Sequence, residues 1–237
     1  MTAISTFLAH LLALYCVFVQ PVLGSYSYRR LKQNLQADQH ARVSFYVRGI
    51  VAKWFWVLAV VIVLLTAGQS IDAIGLVDPT NSLFAFAWIA VFLLFILGTV
   101  IGYRVLIRDP EQYKSIEEEV AVKLLPTSPG ERWLWVVAAV TAGVCEEVLY
   151  RGFLYYYFNL LFPGINALLL ILLSGLIFGL GHFYQGRQGV LITGAMGALL
   201  MAAFVTTGSL FIPIVIHVLV DLRALFFVRP KEVVDPS

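Results

Sequence analysis

Charge is the property this sequence has least of. Of its 237 residues, 13% are Asp, Glu, Lys or Arg and 60% are hydrophobic, and the mean hydropathy is +0.88. Soluble domains carry about 25% charged residues, so these side chains are too few to cover a water-facing surface. A soluble globular enzyme and a disordered chain are both excluded. Cysteine is scarce as well. Cys16 and Cys145 both sit in apolar runs, and two cysteines make neither a zinc ribbon nor a disulfide framework. The first ten residues lack the basic segment of a signal peptide, and no small-residue cleavage site is evident, so the first apolar run reads as a retained helix. A formal charge of +2 gives no reason to expect a nucleic-acid partner. There is no H-E-x-x-H pair. Ser174–Gly175 has leucine two residues ahead of the serine, where a rhomboid-like serine site would have glycine. Cys145 adjoins Glu146 without a base placed beside it, and reads as a small packing residue.

What the chain does have is apolar length. A span needs about 20 mostly apolar residues, and seven stretches are candidates: 4–23, 54–67, 83–107, 133–158, 165–182, 190–207 and 210–227, the second of them short unless it extends at its ends. Backbone groups in lipid must be paired internally, so these runs are helices. The expected fold is an all-α polytopic bundle of about seven spans in the lipid bilayer. Arg29, Arg30, Lys32, Arg42, Arg48 and Lys53 fall in the first loop, Arg108, Lys114, Lys123 and Arg132 in the third, Arg187 in the fifth, and Arg229 and Lys231 in the tail. The second loop holds Asp72 and Asp78 and no basic residue. The positive-inside rule then puts the N-terminus outside and the C-terminus in the cytoplasm of a multi-pass cell-membrane protein. The acidic run Glu117 to Glu119, flanked by basic residues, reads as a solvated amphipathic surface. Ser128, Pro129 and Glu131 form a helix-start signal ahead of the fourth span.

The informative residues are polar ones at depth. Glu146, Glu147, Arg151, His182 and His217 lie in apolar spans, and Asp221 follows one turn after His217. An ionisable side chain at the bilayer centre costs about 2.5–3.5 kcal/mol on insertion scales, so such groups face the bundle interior, and a cluster of them points to function. Glu147 and Arg151 are four apart and form an ion pair on one helix face, read as structural. Glu146 is turned about 100° from Glu147 and has no sequence-local partner. Phe178 and His182, and His217 and Asp221, are also four apart. Gly175 and Gly179 make a G-x-x-x-G pair suited to close helix packing. Counted inward at ~1.5 Å per residue, Glu146 and Asp221 fall near one depth and His182 lies deeper, so helix tilt or a helix end must bring the set together.

Two histidines and a carboxylate can activate water in two ways. Glutamate can act as general base, with histidine orienting the water or stabilising the oxyanion. Alternatively Glu146, His182 and His217 can hold zinc with one position open for water. Both routes hydrolyse an amide bond. A proton- or cation-coupled transporter would use the same groups but needs a polar path through every span, and the first three offer almost none. An inactive membrane scaffold is the third reading.

The motifs Glu146–Glu147–x–x–x–Arg151, Phe178–x–x–x–His182 and His217–x–x–x–Asp221 resemble those of the intramembrane proteases that include the CAAX prenyl proteases of the Ras-converting type and the bacteriocin-processing, Abi-like enzymes. The resemblance covers about residues 133–227. It implies an intramembrane endopeptidase, of glutamate or metallo type, acting on a peptide or membrane-associated protein. It implies Glu146 as catalytic base, His182 as its helper on water, His217 and residue 221 as holders of the oxyanion or a metal, and Glu147 and Arg151 as support. Asp221 stands where eukaryotic members have asparagine. An ionised aspartate cannot donate to an oxyanion, so it would be protonated, orient His217 or ligate a metal. On this reading 1–132 supplies helices and cytoplasmic loops, 133–228 is the protease core and 229–237 a cytoplasmic tail, all within one integrated membrane domain.

Overall fold

Long apolar runs bounded by turn residues have one solution in lipid, and the chain adopts it. The computed structural model describes residues 2–35, 38, 40–106, 108 and 124–227, and among these there is helix but no strand. We number the helices α1 (Ala3–Asn34), α2 (Ala41–Thr66), α3 (Ser82–Leu106), α4 (Pro129–Leu161), α5 (Ala167–Gly181), α6 (Gly186–Thr207) and α7 (Phe211–Leu222). Five are long and apolar enough to cross a bilayer; for the sixth helix, that stretch includes the short turn from Phe183. Helices α5 and α7 are shorter, about 22 and 18 Å at 1.5 Å per residue. The outward faces are apolar. On α3, Leu83, Phe86 and Leu94 are each about seven-tenths exposed, which is the lipid-facing surface that the low charge content requires.

The helices run beyond the apolar windows that mark them. Arg29, Arg30 and Lys32 lie on α1, and Arg42, Arg48 and Lys53 on α2, rather than in a loop. Arg187 is in the first turn of α6. Lysine and arginine are good helix formers and can lay their stems along apolar surface while the charge seeks a polar environment, so a basic residue does not end a helix. The acidic run Glu117 to Glu119, Lys114, Lys123 and the basic tail lie outside the described residues.

Local chemistry sets the helix ends. Ser128 Oγ accepts from Glu131 N at 3.2 Å, as the start signal predicted, but the Glu131 carboxylate reaches one residue further back, to the Thr127 N–H at 2.6 Å. Asn166 caps α5 by accepting from Leu168 N at 2.8 Å. Helix α1 widens into a π-turn at Tyr15–Val19. Pro21 explains this, since it lacks an N–H and its ring presses on the carbonyl four residues back. A second π-turn, Val148–Phe153, interrupts α4 directly after Glu147.

Helix α4 is central, packing on α2 and α7, while α5 lies against α6 and α3 against α7. Two of these approaches depend on glycine. A Cβ at Gly179 would sit 2.6 Å from the Val190 carbonyl oxygen and 2.9 Å from Gly194 Cα, and one at Gly175 would meet the Gly194 carbonyl at 2.8 Å. The G-x-x-x-G pair therefore brings the α5 and α6 backbones together. A Cβ at Gly143 would clash with Val218 Cγ2 and lie 3.0 Å from the Val218 backbone nitrogen, so α4 and α7 also touch closely, beside the carboxylates. Gly179→Ala should cost about 1–3 kcal/mol through overpacking, whereas Gly98→Ala, with open space around it, should not. Thermal melting of both purified variants in detergent checks this, with a fall in Tm expected for Gly179→Ala alone.

Candidate active site

Three helices deliver the polar residues to one region. Glu146 and Glu147 end the regular part of α4, and Arg151 lies within the π-turn that follows. His182 caps the C-terminus of α5, and His217 and Asp221 lie on α7. Because α5 ends at Gly181, His182 is freed from the helix line, so a helix end brings in the most distant of the expected residues.

At the centre is a fully buried carboxylate with two partners. Glu147 Oε1 accepts from Arg151 Nη1 at 2.7 Å and from His217 Nδ1 at 2.6 Å. Glu147 and Arg151 have no exposed surface, and His217 is buried. Arg151 also donates from Nη2 to the Gly197 carbonyl on α6 at 3.2 Å, and its guanidinium lies 4.3 Å from the centre of the Phe178 ring. One arginine thus ties α4 to α5 and α6, and its carboxylate partner ties α4 to α7. The Glu147–Arg151 pair foreseen from the spacing is present, and it also orients a histidine.

The geometry fixes which ring nitrogens are free. A carboxylate only accepts, so His217 Nδ1 carries the proton donated to Glu147. Its Nε2 lies 4.0 Å from Glu146 Oε2 and 3.7 Å from Asp221 Oδ2. Both distances exceed hydrogen-bond length, so Nε2 remains available. A backbone carbonyl likewise only accepts, so His182 Nδ1, 2.9 Å from the Phe178 carbonyl oxygen, is the donor and Nε2 is left with its lone pair. Phe178 stands between the two imidazoles, with ring centres 4.6 Å from His182 and 5.9 Å from His217.

Glu146 faces a cavity of about 770 Å³ whose wall includes His182, Tyr150, Gln20, Trp56 and Lys53. Lys53 is the partner that Glu146 lacked in its own sequence neighbourhood, with Nζ 3.5 Å from Oε1. Its position beside an apolar run suggested a loop charge, and the only hint to the contrary was that helix-compatible sequence continues back to Ala41. Among the described residues, no group of three or more His, Cys, Asp or Glu side chains is arranged to hold a metal ion.

Residues 128–223 match the family model described as type II CAAX prenyl endopeptidase, Rce1-like. The match spans α4 to α7 and all three motifs, and it is the resemblance drawn from those motifs. Helices α1 to α3 lie outside it. No curated protein and no solved structure matches the chain.

Removing one partner of a buried pair leaves an uncompensated charge and costs about 3–5 kcal/mol. Arg151→Met should therefore lower Tm sharply. Asp221→Asn, at a side chain one-third exposed, should change it little. Both are read by thermal denaturation in detergent.

Proposed function

We propose that this protein is an intramembrane endopeptidase that hydrolyses a peptide or membrane-associated protein substrate with water activated by Glu146 and His182. One observation carries the reading: Glu146 and His182 share the wall of one cavity, with His217 Nε2 4.0 Å from the Glu146 carboxylate. The Rce1-like match over 128–223 supports the same class of reaction.

The chemistry follows from the donor and acceptor assignments. Water bound between Glu146 and His182 donates one hydrogen to the lone pair of His182 Nε2 and loses the other proton to the Glu146 carboxylate as its oxygen attacks the scissile carbonyl carbon. The carbonyl electrons move onto oxygen, which receives a hydrogen bond from His217 Nε2. Donation from both His217 nitrogens requires the imidazolium, whose charge Glu147, Glu146 and Asp221 balance. Collapse of the tetrahedral intermediate breaks the C–N bond, and the proton held by Glu146 goes to the leaving amine. Asp221 acts on this reading as a countercharge for His217 and not as an oxyanion donor. The steps as written are carried by Glu146, His182 and His217 without a metal. The positive-inside distribution favours an external N-terminus and a cytoplasmic C-terminus, with Arg30 and Arg48 at the cytoplasmic side.

Glu146→Gln should reduce peptide cleavage by about 10²–10⁴-fold, and His217→Gln by about 10²–10³-fold, with helical content retained. Cleavage of a fluorogenic peptide library by purified protein in lipid nanodiscs measures both. Undiminished cleavage by Glu146→Gln would overturn the assignment. A chelator should leave the rate unchanged; loss of activity restored by zinc would replace the glutamate-water route with a metal route.

A further inference from the structure

The Lys53–Glu146 ion pair conflicts with the proposed chemistry as it stands. A carboxylate whose oxygen is held 3.5 Å from an ammonium is drawn away from water, and it becomes an effective base only when that ammonium moves. The rest of the cavity suggests what moves it. Its wall carries three cations, Arg30, Arg48 and Lys53, and a single carboxylate, Glu146. Arg48 is tethered to its own helix, donating from Nε to the Ser44 carbonyl at 3.0 Å. In a chain with only 13% charged residues, a cavity lined mainly by apolar and aromatic groups keeps a surplus of positive charge. Arg30 and Arg48 are exposed at the rim, and a cavity of low-dielectric walls with cations of one sign around it focuses their field, so it is complementary to a negatively charged ligand.

Lys53 is built to change partners. Its side chain is one-third exposed and reaches the cavity on a flexible four-carbon stem. One turn earlier stands Gly49, where even a single added carbon would come only to 4.0 Å from Nζ, so the ammonium has room to swing without movement of α2. Lys53 also lies outside the segment matched by the family model, on a helix that packs directly against α4.

We infer that Lys53 is a substrate-operated latch: its ammonium holds Glu146 in the resting protein and passes to a carboxylate of the peptide substrate as that group enters the cavity past Arg30 and Arg48, releasing Glu146 to act on water. Lys53 is thus a positioning residue, acting through Glu146. The inference rests on the proposed peptidase reading but is tested separately, by binding.

The probe is a short apolar fluorescent peptide in three forms: with a free C-terminal carboxylate, with a C-terminal amide, and as the amide with one internal glutamate. Affinity is measured for the full chain in nanodiscs of zwitterionic phosphatidylcholine. Glu146→Gln should bind an acidic form about 3–10-fold more tightly than wild type, since Lys53 no longer has to leave Glu146. It should prefer that form over the plain amide. Adding Lys53→Met should erase the preference and leave amide binding in place, while Lys53→Arg should restore it. Preference for either acidic form supports the latch and identifies the source of the carboxylate. Equal binding of all three forms by Glu146→Gln, or a preference that survives Lys53→Met, overturns it. Failure of the peptidase reading is seen differently, as absence of cleavage by the wild-type protein whatever the binding pattern.

Discussion

The site depends on how a charge is kept inside an apolar bundle. Arg151 has no access to solvent, and an isolated guanidinium there would be prohibitively costly. It is held because each neighbouring helix offers it something: the Glu147 carboxylate on α4, the face of Phe178 on α5 and the Gly197 carbonyl on α6. Glu147 then passes the constraint on by accepting from His217. The charge that stabilises the arginine also fixes the ring orientation of a proposed catalytic histidine. Structural and chemical roles are not separable in this network, since the carboxylate oxygen that pairs with Arg151 is the one that binds His217.

Bringing four helices to one arginine requires close backbones, and small residues provide them. Gly175 and Gly179 let α5 meet α6, and Gly143 lets α7 meet α4. In lipid no hydrophobic force drives helices together, so packing and polar contacts must do so. The π-turn at Val148–Phe153 widens α4 where Arg151 and Tyr150 both have to point inward. Phe178 fills the space between the two histidines and carries the arginine on its face, a packing reason for an aromatic four residues before His182.

Much of this was legible in the residues. The helical class followed from the scarcity of charge. The three pairs at four-residue spacing identified Glu147 with Arg151, Phe178 with His182, and His217 with Asp221, because 3.6 residues per turn makes such neighbours certain in any helix. The start of α4 at Ser128 and the close packing of Gly175 and Gly179 were legible for the same local reason. Lys53 was not. Its contact with Glu146 spans separate helices, and no periodicity relates residue 53 to residue 146. The bond from His217 to Glu147 rather than to Asp221 was equally hidden, since Asp221 is the neighbour in sequence and Glu147 the neighbour in space.

Sequence by itself determined that the chain is a helical membrane protein and which polar residues share a helix face, because hydropathy and helical pitch are properties of short segments. Only the tertiary structure decided which carboxylate His217 meets, that His182 joins the group from a helix end, and that a lysine on α2 pairs with Glu146. Those pairings are set by the rotation and approach of whole helices, and these are fixed when glycine contacts and one buried arginine act on several helices at once.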